Sequence, residues 1–143
     1  MKEQLKISLV LLFIVLLFFI SHELGHYLLI KHYYKDNAKV GFGVWYDNVL
    51  MNGLNVKFEL ENPYLFNEGF NRRIYYGGLW FQLIYTFIAT PLIIVFVKDK
   101  YDVFTLILAL SILNLFILLF YLNPYFKSGT GDFDFLEPIS KWG

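Results

Sequence analysis

Residues 74–97 carry no charged side chain, and neither do residues 103–126. Stretches of that kind have no polar face to turn towards water. A third apolar run is unbroken from Leu9 to Ile20. With its flanks it extends over about residues 5–30, where Ser21, His22, Glu23, Gly25 and His26 interrupt it. An α-helix needs about 20 apolar residues to cross about 30 Å of hydrocarbon, and each of the three stretches is long enough. The short charged link Lys98-Asp99-Lys100-Tyr101-Asp102 makes the second and third spans a helical hairpin. Pro91 sets an expected kink near Thr90, which membrane helices tolerate.

Composition supports the same class. Hydrophobic residues make up 57% of the 143, aromatics 21% and charged residues 17%, below the roughly 25% charge of soluble domains. So many aromatics exclude a disordered chain. Twelve basic and twelve acidic side chains cancel, leaving no basic field for nucleic acid. With no cysteine, disulfide scaffolds, thiolate zinc sites and a cysteine nucleophile are excluded. Lys2 and Lys6 before an apolar run are like the opening of a signal peptide. The run is long, however, and His-Glu-Leu-Gly-His follows it where a small-residue cleavage site would stand, so the segment reads as a retained span.

Between the first and second spans the period changes. Val40, Phe42 and Val44 alternate with Lys39, Gly41 and Gly43, and Leu54, Val56, Phe58 and Leu60 alternate with Asn55, Lys57 and Glu59. Period two with Asn52-Gly53 before the second run is a hairpin signal. The expected fold is therefore a membrane all-α bundle of three transmembrane helices (about 5–30, 74–97 and 103–123). A small membrane-associated β-ribbon of two or three strands (about 38–61) lies between helices 1 and 2, and a tail (124–143) follows. The whole is one membrane-embedded core.

Three spans put the N-terminus and the 98–102 link on one side, with Lys2, Lys6, Lys98 and Lys100. The 31–73 loop and the tail share the other, with Lys31, Lys35, Lys39, Lys57, Arg72, Arg73, Lys127 and Lys141. The second set is the larger, which faces loop and tail to the cytoplasm and the N-terminus outward. Tyr33, Tyr34, Tyr75, Tyr76 and Tyr125 would form an aromatic belt there. The expected location is the cell membrane of a prokaryote.

His22, Glu23 and His26 sit at the end of the first span, where ionisable groups are costly and mark function. Residues four apart on a helix stand about 40° apart around the axis and about 6 Å along it. Two imidazoles so placed can reach one Zn²⁺, with the intervening carboxylate near enough to act on a water the ion activates. Glu23 would take that water's proton and pass it to a leaving amine. The bland reading is a helix-end cluster snorkelling to the interface beside Lys31 or Lys35, a poor use of two histidines and a glutamate on one face. Two histidines and a water leave tetrahedral zinc one protein ligand short. His32 lies off that helical face and reads as an interface residue. The spans offer no other carboxylate, so residues 123–137 must supply it, as Asp132 or Asp134.

HELGH in a membrane helix, then a last span ending in Asn123-Pro124 and followed by Asp132, resembles the site-2 protease family of intramembrane zinc metalloproteases. Gly77, Gly78 and Gln82 resemble a weaker feature of its middle span. The order of elements and the outward N-terminus also match, over essentially the whole chain. The resemblance implies one Zn²⁺ per chain held by His22, His26 and Asp132, with Glu23 as general base. It places Asn123 beside the metal, where an amide can bond the scissile carbonyl. Asp132 follows Pro124 by eight residues, where the family pattern has five, and precedes Phe133, where the family has Gly. Asp134 is the alternative ligand; Gly129 and Gly131 favour Asp132 by freeing the backbone to aim it.

In the family, β-elements hold the unwound substrate by main-chain hydrogen bonds, which points to residues 54–60, with Leu54, Val56 and Phe58. A ribbon merely covering the cytoplasmic mouth is the alternative. Gln82 either binds substrate backbone or bonds a neighbouring helix, Asn114 is an interhelical donor, and Gly77 and Gly78 allow close helix approach. The partners implied are a membrane-anchored protein or peptide substrate and the lipid bilayer. Two other classes stay open: a catalytically silent relative that binds membrane peptides, and a membrane metal-binding or transport protein.

Overall fold

The computed structural model describes residues 2–46 and 49–122. It opens on α1 (Lys2–Tyr34). Lys35, at φ 50°, ends that helix in the left-handed conformation common at helix termini. One 3₁₀ turn leads into β1 (Ala38–Tyr46) and β2 (Val49–Leu60), which pair antiparallel. A second turn, capped by Asn62, precedes α2 (Glu68–Phe96), and α3 (Lys100–Leu122) follows at once. Asn67 caps α2 by accepting from Phe70 N–H at 3.0 Å. Asp99 starts α3 by accepting from Tyr101 N–H at 2.9 Å and Asp102 N–H at 3.1 Å.

Among the described residues, three helices are long and apolar enough to cross a membrane. Their outward faces agree: Leu9 is 57% exposed, Phe87 83% and Phe104 65%, with many more like them on every helix. Apolar surface this continuous does not occur on a protein surrounded by water. Helices α1 and α2 are longer than their apolar runs, because residues such as Lys2, Lys31 and Arg72 extend them as polar end turns, and α3 likewise starts on a polar turn at Lys100. Helix α2 runs unbroken through Pro91.

α1 and α2 are antiparallel neighbours. Tyr85 OH donates to Ile14 O at 3.1 Å near one end, and Tyr34 OH donates to Asn71 Oδ1 near the other. Buried positions on α1 recur about every fourth residue, at Ile14, Phe18, His22, His26, Ile30 and Tyr34. That stripe meets two separate cores. Ile14 and Phe18 pack with Ala89, Ile93, Leu106 and Leu110 where all three helices meet. Ile30 and Tyr34 pack with Val56, Phe58, Leu60, Ile74 and Tyr75, seating the ribbon on the α1–α2 end. The two histidines occupy the gap between these cores.

Apolar burial drives little association where the solvent is itself apolar, so close backbone approach and interhelical hydrogen bonds must hold such helices together. A methyl on Gly25 would lie 2.4 Å from Gly77 O, and one on Gly77 would lie 3.1 Å from Gly25 O. The two backbones touch there, and only glycine permits it.

The ribbon has two strands, and its turn is not where Asn52-Gly53 pointed. Both residues lie inside β2. The register runs from Phe42 opposite Val56 to Gly43 opposite Asn52, so the pair marks a bulge rather than the hairpin turn. Gly25→Ala should destabilise the protein by about 1–3 kcal/mol through overpacking, read as a lower denaturation midpoint in detergent. An unchanged midpoint would mean that the helices do not approach this closely.

Candidate metal centre

His22 and His26 are respectively 6% and 0% exposed, and their Nε2 atoms face each other at 3.2 Å. What each ring does with its other nitrogen decides the chemistry. His26 Nδ1 lies 2.7 Å from Ile74 O. A carbonyl oxygen only accepts, so Nδ1 carries a proton, and Nε2 is the nitrogen that can offer a lone pair.

The tautomer of His22 follows from a longer chain of the same logic. Asn114 on α3 places its amide nitrogen 2.9 Å from Leu110 O and 2.8 Å from Thr86 Oγ1. Leu110 O must accept, which turns Asn114 Oδ1 towards Gln82. Gln82 Nε2 donates to it at a long 3.4 Å, and Gln82 Oε1 is thereby turned to His22 Nδ1 at 2.7 Å. His22 therefore donates from Nδ1, and its Nε2 too is the nitrogen that can offer a lone pair.

Two imidazole lone pairs pointed at each other repel unless a cation lies between or beside them. A proton can serve, and so can a divalent metal. Ligands about 2.0–2.1 Å from tetrahedral zinc stand about 3.3 Å apart, close to the separation of the two nitrogens. Metal-binding histidines characteristically donate their second ring N–H to a carbonyl or carboxylate. Here one donates to a backbone carbonyl and the other to a fixed amide oxygen. Gly78 backs closely on the pair: a methyl there would sit 2.5 Å from His26 Nε2 and 2.6 Å from His22 Nε2, so glycine is what lets α2 approach both rings. On these observations the histidine pair fits a zinc ion.

Glu23 lies one residue round the helix, half-buried, and its Oε2 accepts from Val56 N–H at 2.7 Å. The ribbon thus holds the carboxylate by a charge-assisted bond. Glu23 also lines a groove of about 340 Å³ whose other walls are Leu16, Phe19, Ile20, Leu24, Tyr27 and Phe42. Tyr27 and Phe42 stack across its ribbon end at 6.2 Å.

The residues singled out from sequence are dispersed as follows. His22, His26 and Gln82 come together, while Glu23 is held against the ribbon by Val56 N–H. Gln82 is fully buried and bonded to both neighbouring helices, while Asn114 bonds between helices as expected. Val56 and Phe58 bury their side chains in the ribbon core, so any substrate contact there falls to the main chain. Leu54 lies within β2. His32 is exposed and packs on Tyr33, away from the site. Asn123, Asp132 and Asp134 lie outside the described residues. Among the described residues, no group of three or more histidine or acidic side chains forms a metal cage.

Sequence reasoning missed one participant: Ile74 acts through a backbone carbonyl, which no side-chain pattern announces. The close helix approach expected of Gly77 and Gly78 is present at both, Gly77 against Gly25 and Gly78 against the two imidazoles.

No protein family model matches the chain, and no curated protein or solved structure matches it either.

Gln82→Leu removes the acceptor of His22 and should weaken Zn²⁺ or Co²⁺ binding about 10–100-fold, measured by chelator competition. Asn114→Leu should shift affinity in the same direction by a smaller factor. Unchanged affinity in Gln82→Leu would contradict the orienting role.

Proposed function

We propose that this chain is a zinc-dependent intramembrane endopeptidase, hydrolysing peptide bonds within or next to transmembrane segments. The observation that carries the reading is the approach of two imidazole Nε2 atoms to 3.2 Å, on a helix that also carries Glu23 between them in sequence and whose apolar length fits a bilayer. Polar groups committed this far into an apolar bundle signal function.

His22 and His26 would hold the ion with a carboxylate from the tail: Asp132, or Asp134 in its place. When bound, zinc supplies Lewis acidity, bringing the pKa of a water towards ~7 and polarising a carbonyl. Glu23 accepts the proton that the attacking water loses. It then returns that proton to the departing amide nitrogen as the C–N bond breaks, so the carboxylate ends as it began. Val56 N–H fixes one carboxylate oxygen, and with it the plane in which Glu23 exchanges the proton. Asn123, at the start of the tail, is the candidate partner for the scissile carbonyl.

The groove beside Glu23 supports an apolar substrate. Its walls are aliphatic and aromatic, and it runs along a face of α1 that points outward among lipid-facing residues. A membrane-anchored protein or peptide would enter sideways from the bilayer and meet the carboxylate at the groove wall. Main-chain groups of β2 around Leu54, Val56 and Phe58 would pair with the unwound segment, apart from the Val56 N–H that holds Glu23. The larger share of lysine and arginine on the ribbon side puts this site near the cytoplasmic face.

Glu23→Gln should leave zinc bound and lower cleavage of a co-expressed membrane-anchored reporter by about 10²–10⁴-fold; cleavage at the wild-type rate would refute the base role. Gly78→Ala should lose both metal and activity, because its methyl would crowd both Nε2 atoms. Metal content of Asp132→Ala beside Asp134→Ala assigns the third ligand, with loss expected in Asp132→Ala. Full retention in both would remove the tail from the coordination sphere.

A further inference from the structure

A second concavity lies on the opposite flank of the α1–α2 pair, with a volume of about 420 Å³. Leu29 contributes from α1, and Gly69, Arg72, Arg73, Tyr76 and Trp80 contribute from α2. The α2 positions are spaced three, four and seven apart, so they form one face of the helix.

The chemistry of this face is graded along its length. At the start of α2 stand two guanidiniums. Seven residues on, about 10.5 Å deeper at 1.5 Å per residue, stands Trp80, 65% exposed. Tyr76, 42% exposed, lies between. Charge, then amphipathic ring, then apolar wall is the order in which a phospholipid presents phosphate, glycerol and acyl chain. Gly69 leaves the head of the groove without a side chain.

The cations are held in place. Arg73 lies over the Tyr33 ring at 5.7 Å and donates to Tyr33 OH at 3.3 Å, and Tyr33 stacks on Phe70 at 4.7 Å. Arg72 donates to Glu68 at 2.7 Å in an exposed i,i+4 pair, which is weak and spends few of the five guanidinium N–H donors. Two positive charges against one carboxylate leave the groove positive. Guanidinium is suited to bidentate phosphate recognition.

We infer that this groove is a binding site for one anionic phospholipid, its phosphate at Arg72 and Arg73 and an acyl chain against Leu29 and Trp80. The site uses no residue of the histidine centre and stands whether or not the chain is a protease. A bound lipid would join the end of α1 to the start of α2.

The test is native mass spectrometry of the full chain in detergent, with phosphatidylglycerol or phosphatidylcholine added at equal concentration. One phosphatidylglycerol per chain should be retained, several-fold above phosphatidylcholine. Arg72→Ala/Arg73→Ala should reduce retention to the phosphatidylcholine level, whereas Lys31→Ala/Lys35→Ala, removing equal charge outside the groove, should leave it unchanged. Equal retention of both lipids by the wild-type chain overturns the proposal, whether or not the arginine variant folds. So does an equal loss in the lysine variant, which would mark diffuse surface charge. Displacement of the lipid by millimolar inorganic phosphate would identify a free-anion site and likewise overturn it.

Discussion

Everything in the polar interior of this bundle depends on where two ring protons reside. Ile74 O and Gln82 Oε1 each hold an Nδ1–H at 2.7 Å, and this leaves both Nε2 atoms as the ring positions open to a proton or a metal. They approach each other to 3.2 Å. The arrangement is built from all three helices. α1 carries the rings, α2 the two acceptors, and α3 reaches in through Asn114 to decide which way Gln82 points. In an apolar interior such a network is effective because each polar group has few alternatives, and an orientation fixed at one end propagates to the other.

The packing serves the same centre. Gly25 and Gly77 bring α1 and α2 to backbone contact, and one residue further along each helix the same closeness places His26 against Gly78. Bulkier residues at either helix-contact position would widen the gap and pull both acceptors from the rings. The two apolar cores lie on either side of this level and lock the helices above and below it. The ribbon is tied to one core by Val56, Phe58 and Leu60. Through Val56 N–H it also holds the Glu23 carboxylate.

Much of this was readable from residue types. Uncharged runs of span length announced the three helices, and their observed excess length lies in polar end turns such as Glu68–Arg73. HELGH announced a histidine pair on one face, and the off-face position of His32 followed from helical geometry. Asn114 could be assigned to interhelical bonding because a lone amide among leucines must find a partner. What was illegible is what side chains do not encode. Ile74 acts through its carbonyl. Gly78 and Gly77 are the same residue type with different neighbours. Asn52-Gly53 is as compatible with a bulge as with a turn, and the choice lies in the pairing of Phe42 with Val56. The alternatives left for Gln82 could be narrowed only once Asn114, Leu110 and His22 were seen around it.

X-ray absorption at the zinc edge, on protein purified from cells grown with zinc, addresses the central claim most directly. Two imidazole nitrogens bound through Nε2 with Nδ1 protonated, completed by oxygen ligands, should surround one zinc at about 2.0–2.1 Å. Protein that retains no zinc, or zinc whose coordination shell contains no imidazole, would contradict the claim that His22 and His26 share a metal ion.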